Sequence, residues 1–195
     1  MKSEFLLLFP EINDMPAAEQ DALHEYYLSV KLLSEKSWNL EFNNRDMLHG
    51  AIVMSQIFIT AKSNINIFAG DFNGDICGKT MYQHSLKKAV QDNDVKVKIV
   101  FEEMPREESP GLKLIKSLLA TNPENIQIKI LNDDFKKPGN NEALNHFTIA
   151  DDLIFRYEID KKNYKAFCNF DDKKLAEKLK ANFEILEYNS QFVKI

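Results

Sequence analysis

The sequence predicts an α/β domain, an α/β/α sandwich in which helices cover both faces of a mixed, largely parallel sheet. Between residues 64 and 131, segments rich in β-branched residues alternate with amphipathic segments in the order strand, helix, strand, helix, strand. Such alternation is typical of right-handed crossovers between parallel strands. The 195 residues fit one domain, and an apolar content of 44% is enough for a sizeable core.

The first part of the chain is predicted to be helical. Pro16 can open a helix at its first turn, and apolar side chains then recur at helical spacing as far as Leu33. Asn44 is predicted to cap a second helix, which ends near Ala61. We therefore expect two parts: an N-terminal helical extension over residues 1–43 and an α/β domain over residues 44–195.

The three central strands come next. Alternating, β-rich segments predict strands at residues 65–69, 95–101 and 126–131, and helices are predicted between them at about 82–91 and 111–120. Because the connections are short and contain helices, the three strands are expected to be parallel neighbours in the sheet.

The C-terminal third departs from this alternation. Two short strands are predicted to form a hairpin that turns at Asp151 and Asp152. The elements predicted here are the hairpin strands at 146–150 and 153–158, a strand at 164–168, a helix at 173–187 and a short strand around 192–193. The hairpin makes the predicted sheet mixed.

Charge and composition exclude several classes of protein. The net charge is -5, and residues 1–62 carry 5 basic and 9 acidic side chains. Proteins that hold DNA through its phosphates usually carry a basic surplus, so nucleic acid is a possible partner that the net charge does not support. No apolar stretch is long enough to span a bilayer, and the first residues do not resemble a signal peptide. We expect a cytoplasmic protein without a membrane partner.

Metal and cofactor sites are not indicated. The four histidines are far apart in sequence and lack the paired spacing of zinc ligands. The two cysteines, Cys77 and Cys168, form neither a C-x-x-C pair nor a disulfide framework. We therefore expect no metal and no cofactor.

His146 is the candidate functional residue. It opens a predicted strand after a long polar loop, and strand geometry places His146 and Thr148 on one face. Asp151 and Asp152 follow in the turn, and Glu158 closes the hairpin. An imidazole oriented by an acid is the minimum for nucleophilic or general acid–base chemistry. The alternative is a histidine that only packs at a strand edge.

His146-Phe147-Thr148, the acids after it, and the stretch from Lys165 to Asp172 resemble the phospholipase D-like superfamily. The likeness covers about residues 44–195. In that superfamily a His-x-Lys motif is followed by an Asp, and a polar turn lies downstream. The histidine attacks a phosphodiester to form a phosphohistidine, the lysine binds the phosphate, and an acid orients the histidine. No metal is usually required.

The resemblance assigns roles to particular residues. It implies His146 as the candidate nucleophile and Asp151, Asp152 or Glu158 as the acid that orients it. Thr148 stands where the superfamily has lysine, and Leu153 stands at the usual Asp position. Lys161, Lys165 or Arg156 could supply the missing positive charge. The candidate ligand-binding residues are Asn145, Thr148, Lys165 and Asn169.

Three functions are consistent with this degenerate motif. The first is a phospholipase D-like domain that binds a phosphate-containing ligand or a partner with little or no turnover. The second is an active, metal-independent phosphodiesterase or nuclease that uses His146 as its nucleophile. The third is an α/β assembly module without a phosphate site. Because the superfamily builds one active site from two motifs and this chain has room for one, a homodimer is expected.

Overall fold

The computed structural model describes residues 2–72, 74–136 and 144–193. The α-helices of the described residues are α1 (Lys2–Leu8), α2 (Ala17–Lys36), α3 (Met47–Thr60), α4 (Thr80–Gln91), α5 (Pro110–Thr121) and α6 (Lys173–Tyr188). The strands are β1 (Phe42–Asn44), β2 (Asn64–Ala69), β3 (Lys96–Phe101), β4 (Ile126–Leu131), β5 (Phe147–Ala150), β6 (Ile154–Asp160), β7 (Lys165–Asn169) and β8 (Ser190–Phe192).

The described strands form one mixed sheet in the order β1-β7-β6-β5-β2-β3-β4-β8. At its centre β2, β3 and β4 are parallel, with Ile67 opposite Ile99 and Ile99 opposite Ile128. This confirms the prediction that these three strands are parallel neighbours. The β5–β6 hairpin, β7 and β1 continue the sheet on one side in antiparallel pairs, and β8 adds an antiparallel edge on the other.

Helices cover both faces of the sheet, as predicted. Successive side chains of a strand point to opposite faces, so Ile67 packs with α3, α4 and α5, whereas Phe68 packs on the side of α6. On the α6 side, Leu179 and Phe183 meet the sheet. The two apolar clusters therefore sit above and below one sheet, which is the α/β/α sandwich.

The N-terminal segment contributes to the larger of these clusters. Phe5 of α1, together with Phe9 and Ile12, is fully buried there, although the sequence analysis did not predict α1. Helix α2 begins just after Pro16, as expected, and packs against α3. The division of the chain at residue 43 stays a prediction.

The start of α3 differs from the prediction. Asp46, not Asn44, caps the helix, and its carboxylate accepts a hydrogen bond of 2.9 Å from the backbone N–H of His49. Asn44 ends β1 instead, where it pairs with Ala166 of β7. Both residue types are good caps, so the local pattern could not show that Asn44 is held by the sheet.

Among the described residues, none of the helices combines the length and the apolar character that crossing a bilayer requires.

Candidate functional site

The site lies at the edge of the sheet where the parallel strands end. Gly70 directly follows β2, and Glu102 directly follows β3. Strand β5 runs antiparallel to β2, so His146, which directly precedes β5, reaches the same edge. Glu158 of β6 lies opposite His146, and its backbone N–H donates to the carbonyl of His146 at 2.9 Å. Four segments that are distant in sequence thus meet here, at the edge where open α/β sheets bind ligands.

Two carboxylates hold the imidazole of His146. Nδ1 lies 3.2 Å from Oε2 of Glu158, and Nε2 lies 2.8 Å from Oε2 of Glu102. The ring also meets Phe68 edge-on, with the ring centroids 5.5 Å apart. A Cβ on Gly70 would lie 2.9 Å from Cε1 of His146, so only glycine allows this close approach. The ring is therefore fixed on several sides.

Lys161 shares the Glu102 carboxylate with His146. Its Nζ lies 3.0 Å from Oε2 of Glu102, the same oxygen that meets Nε2 of His146. Two donors from different segments thus converge on one anionic oxygen. Hydrogen bonds between charged groups are about twice as strong as neutral ones. Nε2 of His146 and Nζ of Lys161 thus form a binding position for an anion, here called the anion position. The carboxylate of Glu102 occupies it.

The contacts change the pKa values of all three groups. Burial lowers the pKa of His146, but hydrogen bonds to Glu102 and Glu158 outweigh it, and the net shift is upward. The hydrogen bond from His146 lowers the pKa of Glu102 from 4.5 to about 2. Burial raises the pKa of Glu158, but His146 and Arg156 bring it below its usual value. Both carboxylates are therefore ionised at neutral pH, and they favour the protonated ring.

Arg156 fixes Glu158 from the other side. It is only 5% exposed, and its Nη2 donates to Oε1 of Glu158 at 3.0 Å and to the carbonyl of Tyr164 at 3.0 Å. Its Nε donates to Oδ1 of Asn44 at 2.9 Å, and Asn44 also bonds the Tyr164 carbonyl. Nε and Nη2 of the buried guanidinium are thus hydrogen-bonded, and such partners make a charge tolerable inside a protein.

A cavity of about 410 Å³ opens beside this cluster. The volume is in the range of pockets for small ligands, about 300–1,000 Å³. One part of its lining is charged or polar and includes Asp75, His146, Thr148, Arg156, Glu158 and Lys161. Another part is mainly apolar and includes Met54, Ile67, Phe72, Ile76, Cys77 and Tyr82.

The structure brings together only some of the residues that the sequence analysis named. Of the three candidate orienting acids, Glu158 contacts His146. Asp151 instead accepts hydrogen bonds from the backbone of residues 62–64, and Asp152 pairs with Lys180 at 2.6 Å. The turn thus directs both aspartates away from the imidazole.

The candidate ligand-binding residues are also separated. Thr148 is buried and lines the cavity. Asn145 donates to the hydroxyl of Tyr157 at 2.9 Å, and Asn169 is buried against Asn39. Lys165 is exposed at the start of β7. Of these four residues, Thr148 is the one that lines the cavity.

Glu102 is the residue that sequence reasoning missed. It lies 44 residues before His146, and no motif includes it. Its position directly after a predicted central strand was a usable signal, because parallel neighbouring strands end at the same edge of the sheet. Lys161 and Arg156 were considered as sources of positive charge, and both line the cavity.

Within the described part of the chain, no group of three or more His, Cys, Asp or Glu residues is arranged to hold a metal ion.

Solved structures share this architecture. Nuc from Salmonella typhimurium, a phospholipase D family member, superimposes with a TM-score of 0.56 at 15% identity, over 80% of this chain and 100% of that one. NucT from Helicobacter pylori gives 0.56 at 14% identity, over 79% and 100%. The chain has a phospholipase D-like fold. This confirms the fold that the motif around His146 implied.

A third similar structure is larger. TrmBL2, an archaeal chromatin protein, superimposes with a TM-score of 0.59 at 16% identity over 90% of this chain, which spans 63% of the length of that protein. No protein-family model matches the sequence, and no curated protein matches it. The phospholipase D-like likeness therefore rests on the fold and on the residues around His146.

Proposed function

We propose that this phospholipase D-like domain binds a phosphate-containing ligand at His146 and Lys161 with little or no turnover. One observation carries the proposal: Nε2 of His146 and Nζ of Lys161 both contact Oε2 of Glu102. A carboxylate oxygen and a phosphate oxygen are both anionic acceptors, so the same two donors suit either. The ligand's phosphate would replace the Glu102 carboxylate at the anion position.

Lys161 supplies the charge that the motif lacks at Thr148. The threonine offers only a neutral hydroxyl, and it lies in β5, whereas Lys161 approaches from beyond the end of β6. Because a ligand must displace Glu102, and because Asp71 and Asp75 also line the cavity, we expect modest affinity for phosphate.

The protonation of His146 argues against turnover. Ionised carboxylates only accept hydrogen bonds, so both ring nitrogens must donate to Glu102 and Glu158. An imidazolium has no free lone pair, and attack on phosphorus requires one. The ring is therefore suited to hold an anion and not to form a phosphohistidine.

Hydrolysis assays without added metal test the absence of turnover. Bis(4-nitrophenyl) phosphate and single-stranded DNA are offered to the wild type, His146→Ala and Thr148→Lys. We expect no turnover by the wild type. Robust wild-type turnover that His146→Ala abolishes would overturn the proposal in favour of the active phosphodiesterase. A gain of activity in Thr148→Lys would support the idea that the missing lysine silences the site.

Titration with inorganic phosphate, followed by calorimetry or NMR, tests the binding. Lys161→Ala removes one of the two donors, and we expect its affinity to fall by about tenfold, as for loss of a charged hydrogen bond. Glu102→Ala removes the competing carboxylate and should raise the affinity. Lys162→Ala is the matched control, because Lys162 is the exposed neighbour of Lys161. Absence of phosphate binding in every variant would favour the assembly module.

We also infer a homodimer. The superfamily resemblance implies an active site assembled from two copies of the motif, and this chain carries one copy, at His146. Light scattering should then give about twice the chain mass of 22.6 kDa. A mass of one chain across a wide concentration range would contradict the inference.

Nucleic acid is the weaker choice of ligand. TrmBL2 binds DNA, but this chain has a net charge of -5. A binding titration with single-stranded DNA at two salt concentrations tests this alternative. A cytoplasmic location stays a prediction.

A further inference from the structure

The cavity lining includes a set of apolar side chains beside its charged ones. Met54 and Ile76 contribute flexible or branched apolar side chains, and Phe72 contributes a ring. Inorganic phosphate has no apolar surface to place against such a wall. A wall of this kind favours a ligand with an organic part, because burying apolar surface contributes about 25 cal/mol per Å².

Tyr82 belongs to the same lining and carries a buried hydroxyl. Its side chain lines the cavity and is only 1% exposed, and among the described residues its hydroxyl has no hydrogen-bond partner. A buried hydroxyl without a partner typically costs about 1–3 kcal/mol. Cys77 and Arg156 belong to the lining of the same cavity.

The packing of Tyr82 leaves its hydroxyl in a defined place. The ring meets Phe58 edge-on at 4.8 Å and Phe72 edge-on at 6.0 Å between centroids. Burial raises the pKa of Tyr82 well above its ordinary value, so the group stays a neutral hydroxyl at physiological pH. It can therefore donate or accept one hydrogen bond without a change of charge.

We propose that the ligand is a small phosphate ester whose organic part is a ring that enters this cavity and carries one polar group, which hydrogen-bonds to Tyr82. This inference rests on the proposed binding of phosphate at His146 and Lys161. The cavity volume of about 410 Å³ accommodates a phosphate and a single ring system. The ring of Phe72 and the flexible side chain of Met54 suit a flat ligand group. Contacts with an aromatic ring or a thioether stabilise binding beyond the burial of apolar surface.

Three probes separate the parts of this ligand: inorganic phosphate, phenyl phosphate and 4-hydroxyphenyl phosphate. Their dissociation constants are measured by calorimetry on the full chain and on Tyr82→Phe. In the wild type we expect phenyl phosphate to bind about tenfold more tightly than inorganic phosphate, from burial of the ring. 4-Hydroxyphenyl phosphate should bind about tenfold more tightly than phenyl phosphate, because its hydroxyl pairs with the hydroxyl of Tyr82.

The variant isolates the hydroxyl of Tyr82. In Tyr82→Phe the preference for 4-hydroxyphenyl phosphate over phenyl phosphate should disappear, whereas phenyl phosphate itself should bind as in the wild type. Tyr27→Phe is the matched control, because Tyr27 lies on α2 and does not line this cavity. Thermal unfolding checks that Tyr82→Phe is folded, and we expect it to be at least as stable as the wild type.

The outcomes distinguish failure of this inference from failure of the proposed phosphate binding on which it rests. If all three probes bind equally, the ring does not contact the apolar lining of the cavity. If the preference for the hydroxyl persists in Tyr82→Phe, Tyr82 is not its partner. Either result overturns this inference. Phosphate binding at Lys161 would then stand. If no probe binds, the proposed function fails and the inference fails with it.

Discussion

The β5–β6 hairpin carries acidic residues at both of its ends. Those at the turn contact the rest of the fold, whereas the one at the open end contacts His146. At the turn, Asp151 and Asp152 bond to neighbouring elements of the fold. At the open end, Glu158 lies opposite His146 and shares its carboxylate between that ring and Arg156. The comparison shows that cross-strand register, and not nearness in sequence, decides which acid meets the histidine.

The turn end of the hairpin stabilises the fold. Asp151 and Asp152 have φ angles of 53° and 57°, a left-handed conformation that aspartate tolerates better than most residues. The carboxylate of Asp151 accepts from the N–H groups of Lys62 and Ser63 at 2.7 and 2.9 Å. These bonds join the hairpin to the segment between α3 and β2. Changes at the turn should therefore alter stability without altering the titration of the imidazole, whereas changes at the open end should alter both.

The largest effect is expected from Glu158→Ala, at the open end. It leaves the buried Arg156 without its carboxylate, and breaking a buried ion pair by removing one partner typically costs about 3–5 kcal/mol. The free energy of unfolding is measured by denaturant titration. Glu103→Ala is the matched control, because Glu103 is exposed; its effect should stay within about 0.5 kcal/mol. A loss below about 1 kcal/mol for Glu158→Ala would contradict the buried-pair interpretation.

Asp151→Ala should have the next largest effect, at the turn end. It removes acceptors from several backbone N–H groups and places alanine in a left-handed conformation, so we expect a loss of about 2–3 kcal/mol. Asp151→Asn keeps the turn conformation and one acceptor oxygen, and should lose less. Neither variant should change the titration of His146. A changed titration would mean that the two ends are coupled, and the contrast between them would fail.

Much of the fold followed from the sequence, and only part of the site did. The alternation of strands and helices predicted the parallel centre, and the turn residues predicted the hairpin. The contact between His146 and Glu158 needs only the hairpin register, which is local. The hairpin register does not place Glu102 or Asn44, because their contacts cross between segments that meet only when the sheet assembles.

The third effect concerns the pKa of His146, which NMR titration of the imidazole measures. In the wild type this pKa is raised. The protonated ring thus stabilises the fold fully below its ordinary value of 6.5, and this contribution is lost as the pH rises through the raised pKa. Glu102→Gln removes one of the two carboxylates, so we expect the pKa of His146 to fall. The affinity for phosphate should decrease at the same pH at which the ring loses its proton.

An unchanged titration in Glu102→Gln would mean that Glu158 alone sets the protonation of His146. The signals of His84, which lies exposed on α4, serve as an internal reference for the sample. The reverse shift, towards a higher pKa for His146, would contradict the assignment of Glu102 as the acceptor at Nε2.

The smallest effect is expected from Asp152→Asn, at the turn end. Asp152 pairs with Lys180 at 2.6 Å, but the two side chains are 37% and 39% exposed. Exposed ion pairs contribute about 0–1 kcal/mol, since water competes for both charges. Asparagine also tolerates the left-handed conformation, so the turn itself should not change. We expect the loss in free energy of unfolding to stay below about 1 kcal/mol and to shrink as salt is added, because salt screens surface charges. A larger, salt-independent loss would show that Asp152 is held by more than its exposed ion pair, and that the turn is as tightly organised as the open end around His146.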